Sequence, residues 1–168
     1  MLSTSVLDAR TRTVFGADAD SIDVVQARAR ASFPEHRLIV WEGDPQTFIF
    51  STVEGDSANV LGHANTDWLK PGFWVEQIVH PEDRGDALAY CALATSKGAD
   101  HVFEYRALNT DKEVVWLRDY VRVIVGQRRI PTLLRGLMID VSDEKRAEGA
   151  FDNAPTLYSP NPVVLRDS

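Results

Sequence analysis

The stretch HVFEYRALNTDKEVVWLRDYVRVIVGQRRIPTLLRGLMIDV, His101–Val141, decides the fold. Its hydrophobicity alternates with a period of two over three runs: His101–Leu108, Glu113–Val125 and Thr132–Val141. Asn109–Lys112 and Gly126–Arg129 are turn chemistry between them. Turns this short make sequential strands antiparallel neighbours.

Upstream, Leu38–Glu42 and Thr47–Val53 flank Gly43-Asp-Pro45 and read as a hairpin. Between the hairpin and the three strands lie a short helix over Ser57–Leu61, irregular turns carrying Trp68, Phe73 and Trp74, and a longer helix from Pro81 to about Lys97, stopped by Gly98. Ahead of the hairpin, Ile22, Val25, Ala29 and Phe33 form one apolar stripe of a helix that Asp20 can cap and Pro34 ends. Ser142–Glu148 starts a polar helix. The chain therefore divides into a loose arm (1–19), a cap helix (20–34), a folded domain (35–146) and a tail (147–168). The class is α+β with five antiparallel strands.

Composition narrows function. Among 168 residues, 18 Lys+Arg against 25 Asp+Glu leave a net charge of -7, which argues against nucleic acid and anionic membranes as partners. The single cysteine excludes an internal disulfide and a cysteine-based structural zinc site. No secretory signal or membrane-spanning run is visible, so a cytoplasmic location is expected. Gly-x-Ser-x-Gly, phosphate-loop and HExxH motifs are absent, and no enzyme activity is expected.

Val60-Leu-Gly62, Trp68, Trp74, His80-Pro-Glu-Asp-Arg84, Phe103-Glu-Tyr-Arg106, Val115-Trp-Leu-Arg118 and Asp140-Val-Ser142 fall in the order and spacing of a PAS sensor domain. The chain resembles the PAS subclass that carries a His-Pro-acid-Asp-Arg box before its long helix. The resemblance implies a sheet in the order 2-1-5-4-3 with helices over one face, and the N-terminal helix added. It implies a sensor in two-component-like signal transduction that binds a small ligand or a partner protein and relays the change through its last helix, with Asp140 and Ser142 as relay.

An assumed register of Tyr105 opposite Trp116 sorts the strands into two faces. The resemblance turns Val102, Glu104, Arg106, Leu117, Asp119, Val121 and Met138 toward the helices. With Trp68, Phe73, Trp74, Leu88 and Cys91 these give the expected ligand pocket, or simply a filled core. Glu104, Arg106 and Asp119 on that face need one another or a polar ligand. The opposite face then carries Phe103, Tyr105, Trp116 and Tyr120, with Leu137 and Ile139 beside them, and needs a cover. The helix bearing Ile22 and Val25 and a second subunit supply it, so a homodimer is expected. A single-stranded nucleic-acid platform is the rival use of that face; a small-molecule enzyme is the other rival. Haem is not expected, because Pro81–Lys97 has no histidine; photoactive flavin is not, because the LOV-type Asn-Cys-Arg motif is absent. His63 and His101 are expected at the surface or as caps, as is His80.

Overall fold

A computed structural model describes residues 7–155. Residues 1–6 of the arm and 156–168 of the tail lie outside the described residues. The five strands are β1 (Leu38–Gly43), β2 (Phe50–Gly55), β3 (His101–Leu108), β4 (Val114–Val125) and β5 (Pro131–Asp140). They form one antiparallel sheet in the order 2-1-5-4-3, as the resemblance implies.

One register differs from expectation, and it matters. Tyr105 pairs with Leu117, not Trp116. The Asn109 N–H donates to Glu113 O at 3.0 Å, and the Glu113 N–H donates to Asn109 Oδ1 at 2.9 Å. That pair closes a three-residue loop in which Lys112 takes φ 65°, the left-handed position such loops require. An odd loop shifts the register by one, and a shift of one turns a whole strand over. His101, Phe103, Tyr105 and Ala107 therefore share the inner face with Val115, Leu117, Asp119 and Val121. Val102, Glu104 and Arg106 leave it.

Helices cover both faces. On the inner side lie α3 (Ser57–Leu61), a 3₁₀ turn (Asn65–Leu69), a π turn (Trp74–Ile78) and α4 (Arg84–Ser96). Gly62 ends α3 at φ 84°. The His80–Arg84 box staples α4 to β3. Buried Asp83 accepts from the Arg106 backbone N–H at 2.9 Å and from its guanidinium at 2.6 and 3.1 Å. His80 Nδ1 accepts from the Glu82 N–H at 3.0 Å, a capping role as expected.

On the outer side lie α1 (Ala9–Phe15), α2 (Ile22–Ser32) and α5 (Ser142–Ala147). The arm is thus not loose over its described length. Asp8 caps α1, and Leu7, Val14 and Phe15 are buried against Val25, Ala29, Trp116, Leu137 and Ile139. The cap of α2 is Ser21; Asp20 instead bonds Arg28 and the Ala17 N–H. The tail also docks: the Trp116 indole N–H donates to Phe151 O at 2.9 Å.

Candidate functional site

At the centre of the inner face is Asp119, 1% exposed. Trp41 Nε1–H donates to its Oδ1 at 3.1 Å and the Tyr105 hydroxyl to its Oδ2 at 2.8 Å; Trp74 Nε1–H donates to that hydroxyl at 3.0 Å. Trp41 reaches Asp119 by lying across Gly136 on the intervening strand β5. A Cβ there would stand 2.0 Å from the indole, so only glycine admits this path. Burial raises the Asp119 pKa to about 7, against the lowering effect of Tyr105 and Trp41.

Beside it, His101 is fully buried rather than at the surface, a consequence of the reversed strand. Its Nδ1 lies 2.9 Å from Ala99 O and its Nε2 3.3 Å from Cys91 Sγ. Burial pushes the imidazole pKa down to about 4 and the Cys91 thiol well up. At neutral pH this is a neutral imidazole accepting from a protonated thiol. Half-buried His63 packs its ring edge on Phe73.

These groups border a small cavity with room for about one water molecule. Trp41, Phe48, Phe50, Trp74 and Phe103 wall it; Asp119 and Cys91 supply its polar atoms. Of the expected pocket residues, Trp74, Cys91 and Asp119 are brought together here. Trp68, Phe73, Leu117, Val121 and Met138 lie in the same inner core without bordering the cavity. Leu88 faces a groove outside it. Val102 and Glu104 point outward and leave the pocket. Phe103, expected at an interface, borders the cavity, and Tyr105, expected there too, lies in the inner core with its hydroxyl on Asp119. Trp41, Phe48 and Phe50 were missed because the hairpin was read only for its turn. The alternation Ile39, Trp41 in β1 was the available signal.

The network expected among Glu104, Arg106 and Asp119 does not form, since the first two face away from the third. Arg106 takes Asp83 and Glu82. Glu104 takes Arg118 at 2.7 Å and Lys145 at 2.5 Å. Burial alone would raise the Glu104 pKa, but the bonds from Lys145 and Arg118 hold it below the usual range. Glu144 extends the chain to Arg118 at 3.6 Å and His36 at 3.0 Å. Lys145 also sits over the Trp116 ring, 4.8 Å from its centroid. This ion-pair chain binds α5 to the outer face.

The other interface residues are enclosed by the chain itself. Trp116, Leu137, Ile139 and Val25 are all 1% exposed or less, and Ile22 and Tyr120 pack against them partly buried. The apolar face that asked for a second subunit is closed within one chain. The base-stacking platform is likewise absent, since its aromatics are divided between two cores. Asp140 and Ser142, expected as a relay, lie where β5 ends and α5 begins: Asp140 Oδ1 accepts from the Ser142 N–H at 3.0 Å, and Ser142 Oγ accepts from the Trp116 N–H at 3.0 Å.

Among the described residues no helix is long and apolar enough to cross a membrane. Comparison with curated proteins returns no match. Among solved structures, the N-terminal domain of a diguanylate cyclase with PAS/PAC sensor from Marinobacter aquaeolei is 31% identical. It has a TM-score of 0.60 over 64% of this chain and 98% of that one. A sensory box histidine kinase/response regulator from Burkholderia thailandensis is 20% identical, with a TM-score of 0.55 over 73% and 91% of the two chains. The PAS domain of a Colwellia psychrerythraea protein is 18% identical, with a TM-score of 0.54 over 72% and 99%. The family model described as the PAS fold matches residues 50–138, more than half of the chain. The chain belongs to the PAS fold family and is a sensory signal-transduction domain.

Proposed function

We propose that the inner cavity is the input of this sensor and α5 its output, with β3 and β4 as the coupling element. One observation carries the reading. Asp119 lines the cavity and holds the Tyr105 hydroxyl beside it, while their sequence neighbours Arg118 and Glu104 hold α5 from the other side of the same two strands. A molecule that displaces Tyr105 or Asp119 shifts the backbone to which the α5 anchors are attached. Trp116 adds a second route, because its N–H bonds Ser142 and its O accepts from the Val141 N–H at 2.9 Å. An output domain or partner protein that reads α5 completes the pathway. The presence of related folds in a cyclase and a kinase supports that arrangement.

Tyr105→Phe tests the coupling without a ligand. It removes the hydroxyl that bridges Trp74 and Asp119 and leaves the ring. Hydrogen exchange should accelerate at the Trp116 and Ser142 amides and in α5, across the sheet from the substitution. Faster exchange confined to the inner face would sink the proposal.

A further inference from the structure

Phe48 is the half-buried member of the cavity lining; the other lining residues are buried. It lies on the β1–β2 loop at φ 58°, a backbone state costly for an aromatic residue. Phe48 and Trp74 also border an outside groove between that loop and α4, with Val75, Leu88 and Ala92 along it. Phe48 and Trp74 thus stand between a polar-floored space the size of a water molecule and a mostly apolar groove outside.

We propose that cavity and groove together bind a primary alkylamine, its ammonium head at Asp119 and its chain passing Phe48 onto Val75, Leu88 and Ala92. The inference rests on the reading of the inner cavity as the input. Three features select this chemistry. The room beside Asp119 suits a group no larger than a water, and an ammonium is of that size. Each Asp119 oxygen accepts from one neutral donor, Trp41 or Tyr105, so each keeps acceptor capacity, and no Lys or Arg pairs with it among the described residues. Five of the other eight lining residues, Trp41, Phe48, Phe50, Trp74 and Phe103, are aromatic, and their ring faces favour a cation and repel an anion. A carboxylate-bearing ligand would meet Asp119 as a like charge.

Binding requires ionised Asp119. The titratable groups facing it are the Tyr105 hydroxyl from β3 and the Cys91 thiol from α4, with His101 behind the thiol; β1 and β5 offer uncharged Trp41 and Met138. Since Asp119 titrates near 7, its ionised fraction falls about tenfold from pH 8 to pH 6, whereas an alkylamine stays protonated.

The test is calorimetric titration of the folded chain with n-hexylamine and, as a neutral probe, 1-hexanol. Hexylamine should bind saturably at pH 8, about tenfold more weakly at pH 6, and at least tenfold more tightly than hexanol at pH 8. Asp119→Asn should abolish the preference for the amine. Leu88→Trp, which fills the groove outside the core, should weaken hexylamine and leave methylamine unchanged; it decides the matter should Asp119→Asn not fold. Hexanol binding as tightly as hexylamine, or a preference that survives Asp119→Asn, overturns the amine class and leaves the cavity reading standing. No saturable binding of either probe overturns both.

Discussion

The two faces of β3 and β4 solve opposite problems. The inner face buries one carboxyl group among aromatic rings and satisfies it with neutral donors, Trp41 and Tyr105. The outer face pairs full charges, Glu104 with Arg118 and Lys145, at its half-open margin, and closes the rest with α1, α2 and α5. The inner arrangement is sensitive to a new charge, because little there screens it. The outer ion pairs bind only the six-residue α5, so α5 can part from the sheet without breaking its ladders. A sensor needs this asymmetry: a stiff, charge-sensitive interior and a releasable cover.

The comparison breaks most severely at Trp116. Its ring belongs to the outer core, donates to Phe151 O and lies under Lys145. Trp116→Glu places a carboxylate there and should cost about 4 kcal/mol or more. Urea denaturation should show the loss, and exchange in α1, α2 and α5 should rise before that of β1 and β2. A stable variant that merely changes its association state would return Trp116 to an interface between subunits.

The inner face can be sharpened by pH. Asp119 has its pKa raised from 3.8 to about 7, so the folded state holds an extra proton between about pH 4 and 7. Stability from this group falls as pH rises through that window. His101 has its pKa lowered from 6.5 to about 4, so the unfolded state holds the extra proton there. Its contribution rises with pH over the same range. The two slopes oppose, spanning on the order of 4 kcal/mol for Asp119 and 3 kcal/mol for His101. Asp119→Asn should therefore gain stability, relative to the parent's profile, as pH rises from 4 to 6.5; His101→Gln should lose it. Denaturation midpoints that move in parallel with the parent's in both variants would show that neither group titrates differently on folding.

Periodicity and turn chemistry were enough to place the five strands, their order through the resemblance, and the start of α5. They were not enough to place β3 on its correct face. Lys112 carries no sequence mark of its left-handed backbone, and with it goes the parity of the loop. The errors on β3 follow from that: Phe103 and Tyr105 set outside, Val102, Glu104 and Arg106 inside, His101 at the surface. Asp119, Trp74 and Cys91 were legible because β4, the π turn and α4 do not depend on that loop. The hidden partner of Asp119 was Trp41. Its reach depends on Gly136, four strands on in sequence but next to it in the sheet, a long-range fit that no local pattern encodes. Asp8-Ala-Arg-Thr was a weak helix start, and a seven-residue helix has little period to read.

Gly136 tests that fit with an intermediate effect. Gly136→Ala puts a methyl group within 2.0–2.3 Å of three Trp41 ring atoms, so the indole must move. The cost should be about 2 kcal/mol, as for other overpacked cores. More tellingly, Trp41 should leave Asp119, and its fluorescence should change while Trp116, on the outer face, keeps its hydrogen bond to Phe151. A variant with parental stability and emission would mean that the indole has another seat.

The smallest expected effect is at Asp140, where the two faces are joined. Its carboxyl is almost buried: Oδ1 accepts from the Ser142 N–H at 3.0 Å, and Oδ2 takes Arg37 at 2.7 Å. Ser142 in turn holds the Trp116 N–H. The bond to Ser142 satisfies a backbone donor at the start of α5, and removing a cap of this kind costs about 1 kcal/mol. Arg37 is more than half exposed, so its ion pair adds little. Asp140→Asn should therefore be close to neutral, while Asp140→Ala should lower the denaturation midpoint slightly and accelerate exchange through α5. Such an acceleration, larger than global destabilisation explains, marks Asp140 as the hinge of the relay. If the alanine variant loses the full 1 kcal/mol and α5 exchanges as before, the residue is a cap alone, and the inner face reaches α5 through Glu104 and Arg118.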